Sequence, residues 1–158
     1  MKPALMTTMI ALAMLTAPSA MAQDHALVLT GVGRFAVFAD AASVTPDGDG
    51  VRMRSLQVSA ADLVIGDIAY SGGWSWWRFD CAAQTADRLD FASLRADGVE
   101  GPITPEPSPP YAISPGGDAA ELAAVACASD TPAADTAAVA EAVKLGQALL
   151  RGEIDGPR

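Results

Sequence analysis

The eight residues WSWWRFDC, Trp74 to Cys81, contain all three tryptophans of the chain, beside an arginine, an aspartate and one of the two cysteines. Indoles and guanidinium groups have two kinds of chemistry open to them. They can stack on one another, an attraction of about 0.5 to 1 kcal/mol at an exposed site. Alternatively, they can form a platform that stacks a sugar or a flat ligand, or anchors a protein partner. The cysteine can cross-link.

Catalytic chemistry is poorly provided for. The single histidine, His25, lies near the start of the expected mature chain, where chains are often loose. Asp80, Asp87 and Asp90 read as solvated strand positions beside arginines, and general acid and base work needs groups that converge on a substrate. No nucleophile, base and orienter set emerges, so the chain is expected not to be an enzyme. The rival is a small hydrolase, which would need two carboxyls facing each other across a cleft. Cys81, Cys127 and His25 are too few and too distant for a zinc site. PDGDG, Pro46 to Gly50, lacks the further acidic ligand of a calcium loop and reads as a hairpin turn. LVLTGVGRFA superficially matches GxGxxA, but strand-like FAVFA follows where a dinucleotide site needs a helix. No cofactor and no metal are expected.

The N-terminus has the layout of an export signal: Lys2, an apolar run from Met6 to Leu15, Pro18, and small residues ending in Ala20-Met21-Ala22. The apolar run is well short of the roughly 20 residues that span a bilayer. Cleavage after Ala22 is expected, with a periplasmic or secreted product, and no cysteine stands there to accept a lipid anchor. In that oxidising setting Cys81 and Cys127 are expected to pair, which stabilises the fold by roughly 4 kcal/mol in the chain-entropy model. The formal net charge of −9 repels phosphate backbones, which argues against nucleic acid as a partner.

The elements that position these residues are mostly short. HALVLT and RFAVFA read as strands separated by Gly31 and Gly33, and DAASV as one helical turn or a tight bend. VRMRSLQVS changes phase between Arg52, Arg54 and Leu56, Val58, which predicts a bulge near Ser55. Ala60 to Gly73 reads as a looser segment. Thr85 to Leu94 reads as the strand after the aromatic one, with a turn near Ala82 to Gln84. Five prolines between Gly101 and Pro110 demand an extended surface run. A short helix starts at Gly117 or Asp118 and carries Cys127 at its end. A second opens at Thr131-Pro132, with Val139, Val143, Gly146 and Leu150 on one stripe.

Taken in order, VFADAASV, GVRMRSL, WWRFDC, the proline-rich loop and PPYAISPGGDAAELAAVAC resemble the surface-adhesin protein E-like domain of Gram-negative bacteria, over roughly Leu27 to Cys127. The resemblance implies an α+β fold. A curved antiparallel sheet has a C-terminal helix on its concave face, tethered by Cys81–Cys127, and here an extra C-terminal helix is added. It also implies a non-enzymatic envelope protein that binds partners, with a purely structural role as a further alternative. The organisation is then residues 1–22 signal peptide, 23–130 sheet-plus-helix domain, and 131–158 C-terminal helix and tail.

Alternation along the aromatic strand puts Ser75, Trp77, Phe79 and Cys81 on one face, and Trp74, Trp76, Arg78 and Asp80 on the other. Cys81 must face the Cys127 helix, so Trp77 and Phe79 are core. Trp74, Trp76 and Arg78 are the candidate binding surface, joined by Arg52, Arg54, Arg88 and Asp90 from neighbouring strands. Two readings stand for that face: a cross-strand ladder in which arginines cover the rings, or a platform for a protein or glycan ligand or a second copy of the chain.

Overall fold

The computed structural model describes residues 24–156, so the expected signal peptide lies outside the described residues. Six main strands form an antiparallel sheet: β1 (Leu27–Val32), β2 (Ala36–Asp47), β3 (Gly50–Ile65), β4 (Ile68–Asp80), β5 (Thr85–Arg88) and β6 (Asp90–Arg95). Two short pairings, β7 (Thr104–Pro105) and β8 (Tyr111–Ala112), precede the helices α1 (Asp118–Ala126) and α2 (Val139–Leu150). The strand order is β1-β2-β3-β4, after which the outer edge of β4 is shared by β5 and β6. PDGDG forms the tight β2–β3 turn, with Gly48 at φ 63°, where a side chain would be strained.

The two helices lie on opposite faces. Val37, Ala39, Met53, Trp77 and Phe79 pack against Leu122 and Ala123 of α1. Ala36 and Phe38, which alternate with them along β2, and Leu56 and Val58 of β3 pack with Trp74 and with Ala142 of α2. Adjacent strand residues point to opposite sides, so each helix covers one side. Fully burying one such large side chain contributes about 1.5–3 kcal/mol. Cys127, the residue after α1, is bonded to Cys81, the residue after β4, with Cα atoms 5.8 Å apart. The fold is therefore α+β, an antiparallel sheet with a disulfide-tethered helix and a further C-terminal helix. Among the described residues no helix is long and apolar enough to cross a membrane.

Four local expectations need correction. The helix expected from Thr131-Pro132 begins instead at Val139. Before it, Leu27 N–H donates to the Thr136 carbonyl at 2.9 Å and Asp135 N–H to the Leu27 carbonyl at 2.8 Å. Pairing with β1 holds this segment extended and outweighs the local capping signal. The bulge lies opposite β3 rather than at Ser55, between Asp40 and Thr45 of β2. DAASV is accordingly a bulged part of β2 rather than a helical turn or bend.

β3 itself keeps one phase through this region. Arg52, Arg54, Leu56 and Val58 share a face whose near half meets tryptophan rings and whose far half meets α2. Finally, Ala60 to Gly73 is no loose segment but part of the long β3–β4 hairpin, turning at Gly66 with φ 61°. The glycines that suggest looseness are required by close approach. A Cβ on Gly72 would strike the Gln57 carbonyl, and one on Gly73 the Phe91 ring.

Candidate functional site

The β3–β4 register sets Leu56 opposite Trp74, Arg54 opposite Trp76 and Arg52 opposite Arg78. Long side chains on one face also reach their diagonal neighbours, and the result is a continuous stack. His25 lies against the Trp74 ring, with centroids 5.2 Å apart. The Arg54 guanidinium carbon is 4.4 Å from the Trp74 centroid and 5.8 Å from that of Trp76. Arg52 lies 4.7 Å from the Trp76 centroid. Trp74 is only 1% exposed, and Trp76 is half-buried.

His25 is not loose. Its Nδ1 donates to Asp40 Oδ2 at 2.7 Å, and Ala26 N–H donates to Asp40 Oδ1 at 3.0 Å. Asp40 is buried within β2, so both carboxylate oxygens use these donors in place of water. The register that sets Leu27 opposite Asp40 brings the two side chains together. The bond orients the imidazole through Nδ1. Nearby, the Ser43 hydroxyl donates to the Asp40 carbonyl at 2.6 Å and accepts from Arg54 N–H at 2.7 Å. It bridges the β2 bulge, and its oxygen is engaged as both donor and acceptor. The Ser, His and Asp of this corner are therefore not wired as a nucleophile relay, in which the histidine must take the serine proton.

These groups border an open cavity of about 520 Å3, lined among others by His25, Asp40, Arg54, Trp76, Glu100 and Ile103. Glu100, from the segment after β6, accepts from Arg54 Nη2 at 2.7 Å and from Nη1 at 3.4 Å. Burial of Arg54 against Trp74 makes this fork more than a rim contact. Arg52, by contrast, has no carboxylate partner among the described residues. Its Nε, like those of Arg54 and Arg95, is buried without a hydrogen bond.

The three candidate surface residues thus have different fates. Trp74 is enclosed and offers no platform, because α2 and the His25 ring cover the part of the face that strand alternation alone leaves open. Trp76 borders the cavity. Arg78 bonds Asp49 and lies 3.9 Å from Asp47 at the β2–β3 turn. Arg88 needs correction: it pairs with Trp77 in register and donates from Nε to Ser75 Oγ at 2.9 Å, so it lies on the α1 side of the sheet. Asp90 accepts from the Trp76 backbone N–H at 2.8 Å, across the break between β5 and β6. On the core face, Trp77 Nε1 donates to buried Ser55 Oγ at 2.9 Å.

His25, Asp40 and Glu100 are the lining residues that sequence reasoning passes over. One signal was present: an aspartate inside the apolar run RFAVFADAA must find a partner if that run is buried. Comparison with protein-family models, with curated proteins and with solved structures finds no match for this chain.

Proposed function

We propose that this chain is an exported, non-enzymatic binding module of the surface-adhesin E-like type, and that it holds its ligand in the cavity beside Trp76. The observation that carries the reading is the cavity itself, bordered by the half-buried Trp76 indole and the Arg54 guanidinium. Such aromatic and arginine groups dominate recognition surfaces. The disulfide between Cys81 and Cys127 fits a periplasmic or secreted protein, with cleavage near Ala22. The sheet with its tethered helix is the arrangement the resemblance implies.

The test is a screen of the oxidised protein against matrix proteins, glycans and haem, read by NMR at the three indole N–H signals. A binder should shift Trp76 most, and Trp76→Ala should abolish binding while the protein stays folded. Ligands that bind without touching Trp76, or that bind Trp76→Ala unchanged, would place the function elsewhere. Mass measurement of the N-terminus of protein recovered from the cell envelope tests the export reading.

A second reading, a small periplasmic hydrolase, is favoured by the His25–Asp40 pair, because an oriented imidazole can act as a general base on water. Hydrolysis of ester or glycoside substrates that disappears in His25→Ala would support it. Activity unaffected by His25→Ala would leave binding as the role of this corner.

A further inference from the structure

We infer that the open edge of the β3–β4 hairpin is a docking surface for a second copy of this chain, paired antiparallel about Val64. The inference is independent of the cavity. β2 begins at Ala36, opposite Val58 of β3, so the rest of β3 is paired on its β4 side alone. Leu63, Val64 and Ile65 lie in that stretch and are 60%, 66% and 60% exposed. Strand alternation sends Leu63 and Ile65 to one face and Val64 to the other, so no single helix could cover all three.

Backbone groups are open there as well. Gly66, at φ 61°, opens a two-residue turn that sets Ile65 against Ile68. A turn of that length closes on a hydrogen-bonded pair, and the alternation of an antiparallel ladder then turns the Val64 N–H and C=O to the free edge. The β1 edge, by contrast, is blunted: Leu27 N–H donates to the Thr136 carbonyl and Leu29 N–H to Asp135 Oδ2. Leu63 to Ile65 has no charge, proline or covering segment, the devices that ordinarily keep strand edges apart.

The edge is complementary to itself. Pairing about a two-fold axis at Val64 places Val64 opposite Val64 of the second copy, Leu63 opposite Ile65, Asp62 opposite Gly66 and Ala61 opposite Asp67. Apolar residues meet apolar ones and each aspartate meets a small uncharged residue, so no like charges stand directly opposed. Such a contact closes as a dimer. A basic peptide fits less well, because Asp62, the carboxylate adjoining Leu63, is already bound by Ser71 Oγ and Gln147 Nε2, each at 2.9 Å.

Ala61 to Asp67 supplies far fewer than the roughly 20–30 residues a side of a stable interface, so the association is weak. It leaves the cavity free, since Arg54 and Trp76 lie away from the hairpin tip. Two copies then present two cavities, which raises avidity for a ligand with repeated epitopes.

Sedimentation equilibrium of the oxidised mature protein tests the inference. A monomer–dimer equilibrium with a Kd on the order of 100 µM is expected. It should tighten as salt rises, because two acidic chains repel until they are screened. Val64→Lys and Val64→Asp should each be monomeric, since each sets like charges together at the axis, and an equimolar mixture of the two should dimerise. In the unaltered protein the Val64 amide NMR signal should shift with concentration while the Trp76 indole signal stays in place.

A monomer at about 1 mM, well above the expected Kd, overturns the inference, as does association that weakens with salt, assembly beyond a dimer, or a dimer that persists in folded Val64→Lys. A mixture of the two variants that stays monomeric overturns the two-fold pairing at Val64. Should either variant fail to fold, the concentration dependence of the Val64 signal in the unaltered protein decides the matter alone.

Discussion

Removing the Asp40 carboxylate should cost far more than a surface aspartate would, and the cost should be shared with His25. Asp40 is 3% exposed and accepts from His25 Nδ1 at 2.7 Å and from Ala26 N–H at 3.0 Å. A hydrogen bond to a charged group contributes about 1.5–3 kcal/mol. Two of them, offset by relief from burying the carboxylate, predict a loss of about 3 kcal/mol for Asp40→Ala.

His25→Ala loses one of these bonds and the stacking on Trp74, and it leaves Asp40 Oδ2 unpaired. Urea unfolding of the unaltered protein, both single variants and the double variant closes a thermodynamic cycle. The coupling energy should be about 2 kcal/mol, since only one charge-assisted bond joins the pair. Asp40→Ala should also speed amide exchange at Ala26, whose N–H loses its acceptor. A coupling below about 0.5 kcal/mol would refute the reasoning, because contacting residues that share a buried bond cannot be that independent.

Other outcomes follow from packing. Trp74→Ala, which empties a buried ring site beneath α2, should destabilise by about 3–5 kcal/mol, whereas half-buried Trp76→Ala should cost clearly less; thermal unfolding monitored by circular dichroism separates them. A Cβ at Gly146 would lie 3.0 Å from Ala36 Cβ and 3.1 Å from Val58 Cβ. Gly146→Val should therefore cost about 1–3 kcal/mol through overpacking, despite the better helix propensity of valine, and an unchanged urea midpoint would mean that α2 does not press on the sheet there. Reducing Cys81–Cys127 should lower unfolding free energy by about 2–4 kcal/mol, measured with and without dithiothreitol.

Much of the scaffold was legible because its signals are local. PDGDG specifies a tight turn through residues that tolerate positive φ, and it appears as one. Two cysteines admit one intramolecular pairing. Alternation from Trp74 to Cys81 sorts Trp77 and Phe79 to the α1 face in sequence and structure alike. Less of the site was legible. Arg88 changes face because β5 and β6 are broken at Leu89, a break with no turn residues to announce it. His25 reads as a loose terminal residue until the β1–β2 register lays it beside Asp40. Asp135 and Thr136 read as the first turn of a helix until Leu27 takes their backbone bonds.

By itself the sequence determines the periodicities: which residues alternate across a strand, where the chain must turn, and that the acidic excess leaves few cations to be paired. The tertiary structure alone decides what meets each face. Packing α2 over Trp74 turns one indole into core, while its near neighbour Trp76 remains at the cavity. The physical reason is that burial and ion pairing depend on groups far apart in the chain. Pattern within a strand fixes a side chain's direction, but only the fold supplies the helix, histidine or carboxylate that it encounters there.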